Sequence, residues 1–297
     1  MPLKGIRGAV GDWDNTARNL VPDEEEIIRL YAKVFAPYTN REPNLVRQGL
    51  KLRVYPIMRQ HTADPQRGWT DQYGRVLIPP ADILVSIRIA ARSLLDEYGL
   101  FEDKEEREAL LERVYQAAFR ATPVTFRRGT AEFFLGLKDL GMPATIVSNS
   151  GTEHIREQLD HLGEQSGSID TFRFVGVEGQ ARKYVLGPYP PNGQNEMRVT
   201  IPGMSYPMET DRPQYEQVLQ TFLDKHGLRW DELLVIGDIP QMDLGMPHRK
   251  GATVLIVATA RTPRVEISFW QDQPRAHIVR DLRHALRVIQ HLKGQAA

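Results

Sequence analysis

The chain has 297 residues, room for one large domain or two ordinary ones, and its 38 Lys+Arg offset 38 Asp+Glu to a formal net charge of zero. That balance argues against nucleic-acid binding through bulk charge, and the lack of cysteine excludes disulfides, thiolate zinc sites and cysteine nucleophiles. No leader pattern and no apolar run near the roughly 20 residues that cross a bilayer is present, so the expectation is a cytoplasmic protein with no membrane or nucleic-acid partner.

An apolar run from Ile6 to Val10 predicts a buried strand that leads into Gly11-Asp12-Trp13-Asp14-Asn15-Thr16. Pro22 and three glutamates then open a helix. A second helix is expected from about Asn44 to Arg59, kinked or ended by Pro56. Residues 68–80 read as a loop or small hairpin, and helices follow over Asp82–Tyr98 and Asp103–Arg120. The second helix is basic through Arg47, Lys51, Arg53, Arg59 and His61, which reads as a solvated face before it reads as an anion site. Likewise Trp69 and Tyr73 read as packing residues of a loop before they read as a stacking surface for a substrate ring.

From Pro123 the pattern turns to alternating helices and strands. Helices are expected at Gly129–Leu140, Thr152–Leu162, Pro213–Lys225 and Asp281–His291. Strands are expected at Pro143–Val147, Phe172–Val177, Leu233–Ile236, Thr253–Val257 and Ile278–Val279. This alternation implies right-handed crossovers and a parallel α/β sheet of Rossmann-like type. Residues 181–211 break the alternation. They read as an inserted β-hairpin pairing Arg182–Leu186 with Met197–Ile201 through a turn at Pro190-Pro191-Asn192-Gly193.

Three expected strand ends carry polar groups: Asp12 and Asp14, Ser148 and Asn149, and Asp238 with Asp243. Open α/β sheets bind ligands at the carboxyl ends of their strands. Carboxylates gathered there without thiols or histidine pairs suit a hard cation such as Mg²⁺, and a hydroxyl at a helix start suits a phosphoryl group. For the first pair alone, the plain alternative is that Asp and Asn simply start a loop.

The segments D-W-D-N-T (12–16), I-V-S-N-S (146–150) and I-G-D-I-P-Q-M-D (236–243) resemble, in order, the motifs of the haloacid dehalogenase-like (HAD) hydrolase superfamily. The resemblance implies a HAD-like core over 1–17 and 123–297 and a helical cap domain inserted at 18–122. It implies that Asp12 is a nucleophile forming an aspartyl-phosphate, and that Asp14 is the acid/base. Mg²⁺ would sit on Asp12, the Asp14 carbonyl and Asp238, with Asp243 either a further ligand, a group supporting the ligands, or a helix-stabilising acid. Ser148 would hold phosphoryl oxygens, with Thr16 and Asn149 orienting the loop. The chain departs from the family in the third motif. Its expected lysine, often followed by proline, is replaced by Arg212-Pro213, while Lys183 stands a few residues after the preceding strand, so the inserted hairpin splits the motif and leaves a cation at each end. Lys183 is the favoured catalytic cation and Arg212 the alternative.

The implied activity is Mg²⁺-dependent hydrolysis of a small phosphorylated metabolite. A phosphotransferase or mutase of the same family, or a non-catalytic binding member, are the alternatives. Asp14 argues against a haloacid dehalogenase, which needs neither a metal nor that carboxylate.

Overall fold

The computed structural model describes residues 5–20, 24–63, 68–189 and 197–294. In chain order, β1 (Gly8–Gly11) is followed by α1 (Glu24–Thr39), α2 (Pro43–Ala63), β2 (Trp69–Thr70), β3 (Val76–Ile78), α3 (Ile83–Tyr98) and α4 (Lys104–Arg120). Next come α5 (Thr130–Asp139), β4 (Ala144–Val147), α6 (Thr152–Gln165), β5 (Gly176–Glu178), β6 (Arg198–Val199) and β7 (Met208–Glu209). The rest comprises α7 (Pro213–His226), β8 (Leu233–Gly237), α8 (Pro240–Asp243), α9 (Gly245–Lys250), β9 (Thr253–Val257), α10 (Arg264–Gln271), β10 (Ala276–Val279) and α11 (Leu282–Gly294).

Six strands form one parallel sheet in the order β10-β9-β8-β1-β4-β5. The central strands β1, β4, β8 and β9 are buried along their whole length and mostly apolar because both faces are covered. Ala9, Leu234, Ile236, Leu255 and Val257 point to the side of α5, α6 and α11, while Val10, Val235, Val254 and Ile256 point to the side of α7 and α10. From β1 the chain builds outward to β4 and β5 on one side, then returns to add β8, β9 and β10 on the other. That reversal opens a crevice beyond the carboxyl ends of β1, β4 and β8.

Helices α1 to α4 pack around an apolar cluster of their own, with Ile28, Phe35, Leu50, Ile87, Leu94 and Leu111 fully buried. Asp82 and Asp103 cap α3 and α4, accepting from Leu84 N and Glu106 N at 2.8 Å. The expected break at Pro56 does not occur, and α2 runs to Ala63. Interior proline costs about 3 kcal/mol, but Val46, Leu50, Val54 and Met58 form a buried stripe on the same helix. At about 1.5–3 kcal/mol for each side chain, that stripe outweighs one lost hydrogen bond.

Two other expectations are corrected. Over Phe172–Val177 the chain makes a single 3₁₀ turn, Ile169–Phe172, which seats Phe172 in the core, and the strand begins only at Gly176. In the insertion, Arg198–Val199 pairs with Met208–Glu209 and not with 182–186. Gln180 and Arg182 have φ of 54° and 47°, and the Lys183 peptide is bonded elsewhere, so this stretch is turned away from a ladder. The expected turn at 190–193 lies outside the described residues. No helix among the described residues is long and apolar enough to cross a membrane.

His61, on the last turn of α2, is 1% exposed, and its Nδ1 has no partner among the described residues. Burial lowers its pKa from 6.5 to about 4, so the folded state holds it neutral. Stability is therefore full above the unfolded value and falls as pH drops from 6.5 toward 4. His61→Gln should flatten acid unfolding in that window by about 2 kcal/mol, measured by denaturant titration at several pH values. An unchanged profile would show that the ring protonates freely.

Candidate active site

The first strand delivers Asp12 into the crevice, and its amide is fixed by the Ile236 carbonyl of β8 at 2.8 Å. Trp13 then turns inward and is fully buried, while its carbonyl accepts from the amides of Ala17 and Arg18, both at 2.9 Å. Asn15 takes φ +60°, a conformation that Asn tolerates, and its side-chain oxygen accepts from Leu20 N at 3.2 Å. This tight loop puts Asp12 and Asp14 on the same crevice. Thr16 Oγ1 lies 3.1 Å from Asp12 Oδ2 and 3.3 Å from Asp238 Oδ1, tying β1 to the end of β8.

Asp12, Asp238 and Asp243 each offer an oxygen within 4.8 Å of the others. Gly237 is required here, since a Cβ on it would come within 2.5 Å of Asp243 Cβ. Asp243 is doubly engaged. Its Oδ1 accepts from Lys183 Nζ at 2.8 Å and its Oδ2 from Ile239 N at 3.1 Å. Lys183 Nζ also donates to Asp12 Oδ1 at 2.6 Å. The Lys183 side chain is 1% exposed. Burial disfavours its charge, but Asp12 and Asp243 more than restore it and hold its pKa above the ordinary value.

Arg212, the alternative cation, does not reach the carboxylates. It is equally buried, and its guanidinium donates to three backbone carbonyls: Glu209 at 3.2 Å, Leu77 at 3.3 Å, and Lys183. It supports the lysine's backbone from behind.

Burial pushes Asp12 up to about 7 against the pull of Lys183, and burial beside Asp12 and Asp243 drives Asp238 well above the usual carboxylate range. The cluster is short of positive charge, since three carboxylates share one ammonium. An all-oxygen donor set with two uncompensated negative charges fits a hard divalent cation, so Mg²⁺ suits these residues. Asp238 Oδ2 accepts no hydrogen bond among the described residues, whereas both oxygens of Asp12 and of Asp243 already accept one. The Asp14 side chain stands outside this group. It accepts from Ser150 Oγ at 2.6 Å and faces the Arg18 guanidinium at 3.6 Å, with Oδ1 otherwise unbonded among the described residues.

The loop after β4 supplies the opposite wall. Ser148 is buried, and its Oγ accepts from Ser150 N at 3.2 Å, which leaves its proton free to donate. Asn149 does not cap α6, whose N-cap is Gly151. Its Oδ1 accepts from Lys183 N at 2.8 Å, so it orients the lysine. Beside this loop a cavity of about 460 Å³ opens toward α3 and α4. Asn149, Ser150 and His154 line it from below, and Asp82, Trp69 and Tyr115 from above. A relay joins that cavity to the Asp12–Thr16 loop: Trp13 Nε1 donates to Gln158 Oε1 at 2.5 Å, and Gln158 Nε2 lies 2.7 Å from His154 Nε2.

Sequence reasoning missed Arg18, Arg127 and Asp82. Arg18 is fully buried, with its guanidinium 4.6 Å above the Phe119 ring. Arg127 Nε donates to the Asn15 carbonyl, and its charge lowers Asp238. Asp82 is raised to about 7 by burial, with Asp14 and Asp243 adding repulsion. Only Arg18, four residues beyond Asp14, stood close enough to a motif to be noticed. Of the basic residues of α2, Arg47 and Lys51 pair with Glu25 and Arg53 with Glu97 at the surface, whereas His61 is buried.

The family model described as HAD-hydrolase-like matches residues 213–285, from α7 through the strand that carries Asp238 into α11. Residues 213–285 thus carry a sequence likeness to HAD-like hydrolases, and the likeness of the whole chain is one of fold. That fold is shared with three solved structures of HAD-like proteins. The magnesium-bound putative HAD-hydrolase YfnB from Bacillus subtilis is 16% identical with TM-score 0.54, covering 97% of this chain and 100% of that one. A predicted phosphoglycolate phosphatase from Haemophilus somnus is 16% identical with TM-score 0.53, covering 95% and 97%. A haloacid dehalogenase-like hydrolase from Xanthomonas campestris is 13% identical with TM-score 0.50, covering 98% and 94%. No curated protein matches the chain.

Proposed function

We propose that this chain is a Mg²⁺-dependent phosphatase of a small phosphorylated metabolite, with residues 18–122 acting as a cap over the core. The observation that carries the reading is the contrast between two carboxylates on one loop. Asp12 is set against a buried ammonium at 2.6 Å, which favours a charged nucleophile. Asp14 is held by a hydroxyl at the mouth of the cavity, where an acid/base belongs. The same Asp14 argues against dehalogenation. That the B. subtilis relative was solved with magnesium, and that the H. somnus relative is described as a phosphatase, are consistent with this choice.

In this mechanism Asp12 Oδ attacks phosphorus, and the bond from phosphorus to the leaving oxygen breaks. Protonated Asp14 gives its proton to that oxygen. Asp14 then takes a proton from water as the water oxygen attacks the aspartyl-phosphate, freeing phosphate and restoring Asp12. Ser148 and the Lys183 ammonium hold phosphoryl oxygens throughout. Bound at Asp12 and Asp238, Mg²⁺ would neutralise charge on the phosphoryl group. The cavity beside Ser150 takes the organic part of the substrate.

A screen of phosphorylated small molecules with and without Mg²⁺ tests the reading, with metal-dependent phosphate release as the expected result. Asp14→Asn should lower turnover by about 10²–10⁴-fold, with a larger loss for poor leaving groups than for nitrophenolate, which needs no proton. An equal loss for both would remove Asp14 from proton transfer. No release from any compound would favour a binding role for the chain.

A further inference from the structure

The two hairpins flanking the crevice meet at the residue that the sequence offered as a second cation. Arg212 Nη1 donates at once to the carbonyl of Lys183 and, at 3.3 Å, to that of Leu77 in β3. Lys183 is thereby gripped on both sides of its backbone, since its amide donates to Asn149 Oδ1 at 2.8 Å. Leu77 belongs to the β2–β3 hairpin, which reaches down from the helical unit toward the insertion. A second set of contacts closes the same seam. Tyr73 stacks on Tyr189 with ring centroids 4.4 Å apart and planes 16° from parallel. The Arg75 guanidinium lies 5.9 Å and 5.6 Å from those two rings.

The Arg212 side chain is sealed from water, its hydrogen-bond partners among the described residues are all carbonyls, and its charge acts on Asp243 only from a distance. Its planar fork can hold several acceptors in fixed directions, which a lysine cannot do. The three acceptors belong to three separate segments: the lysine loop, β7 and β3. We propose that Arg212 is a positioning residue that couples docking of the β2–β3 hairpin to placement of Lys183 against Asp12 and Asp243. The proposal rests on the phosphoryl-transfer reading of the site. Seating the hairpin closes the crevice and fixes the lysine's carbonyl through the same nitrogen. Water exclusion and assembly of the nucleophile's counter-charge therefore happen together. Because coupling is reciprocal, occupation of the phosphoryl site must also tighten the hairpin.

Orthovanadate with Mg²⁺ serves as the phosphoryl-site probe on the full chain, with hydrogen exchange read at the backbone amides of residues 69–78. In the wild type, vanadate should slow their exchange about tenfold, and in Arg212→Lys the slowing should fall below about threefold. Tyr73 is 54% exposed and touches neither the lysine nor the carboxylates, so Tyr73→Ala tests the reverse direction in a variant that folds. It should weaken vanadate binding about tenfold by undocking the hairpin. Normal vanadate binding with hairpin exchange unchanged, or unchanged vanadate affinity in Tyr73→Ala, would overturn the coupling and leave the phosphatase reading standing. No vanadate binding to the wild type would overturn both.

Discussion

Asp12→Asn should abolish metal-dependent phosphate release, with kcat reduced by roughly 10⁴-fold or more. The amide is nearly isosteric but has lost both the negative charge and the lone pair that attacks phosphorus. Folding should survive the change, because Asp12 is one of three crowded carboxylates and its ionised form is disfavoured by burial. Its Oδ1 also accepts from Lys183, and the amide oxygen can keep that contact. The variant should thus be as stable as the wild type, or more so without metal, and still bind phosphorylated compounds. Quench-flow with labelled substrate checks the chemistry directly: acid-stable label should accumulate on the wild type and not on Asp12→Asn. Undiminished turnover in the variant would remove Asp12 as nucleophile.

Lys183→Met carries the largest expected cost in stability. The lysine is the only cation in direct contact with the Asp12–Asp238–Asp243 group among the described residues. Removing one partner of a buried ion pair typically costs about 3–5 kcal/mol, because the charge left behind is uncompensated. At about 2–4 °C for each kcal/mol in a chain of this size, metal-free melting should drop by about 10 °C. The sign of the pH dependence identifies the cause. The stranded carboxylates would have folded pKa values raised above their ordinary 3.8, as Asp12 already has at about 7. The deficit should therefore be small near pH 4 and grow as pH rises through 7. Added Mg²⁺ should restore more stability to Lys183→Met than to the wild type, since it supplies the missing charge. Calorimetry at pH 5 and pH 8, with and without Mg²⁺, reads both effects. A deficit independent of pH would mean that lost packing of the lysine stem, not charge, is responsible.

The central strands were legible because each is a short, mostly apolar run buried on both faces, whereas the partly buried edge strand Gly176–Glu178 was expected too early in the chain. Thr253–Val257 was bounded correctly to the residue. The three polar strand ends were legible because parallel strands bring their carboxyl ends to one edge of the sheet. What escaped was decided by contacts across long stretches of chain. Whether Lys183 or Arg212 meets Asp12 depends on how the insertion between them folds, so the sequence could favour Lys183 only slightly. Pro56 argued for a break that only the partners of Val54 and Met58 could override. Arg182–Leu186 failed as a strand because Gln180 and Arg182 take positive φ, a conformation that these non-glycine residues do not signal, and Arg198–Val199 pairs with Met208–Glu209. Asp82 was legible only as the start of a helix; it caps that helix and also borders the cavity.

The tryptophan between the two catalytic-loop aspartates has an optical consequence. Trp13 is fully buried, so its emission belongs to the blue-shifted part of the spectrum, and its indole proton is shared with Gln158. Gln158 in turn faces His154, whose ring borders the space where a leaving group would lie. A compound entering that space perturbs the imidazole and, two hydrogen bonds away, the chromophore. The chain carries its own fluorescent reporter, wired to the cavity and placed one residue from Asp12, so occupancy can be followed in protein that bears no label.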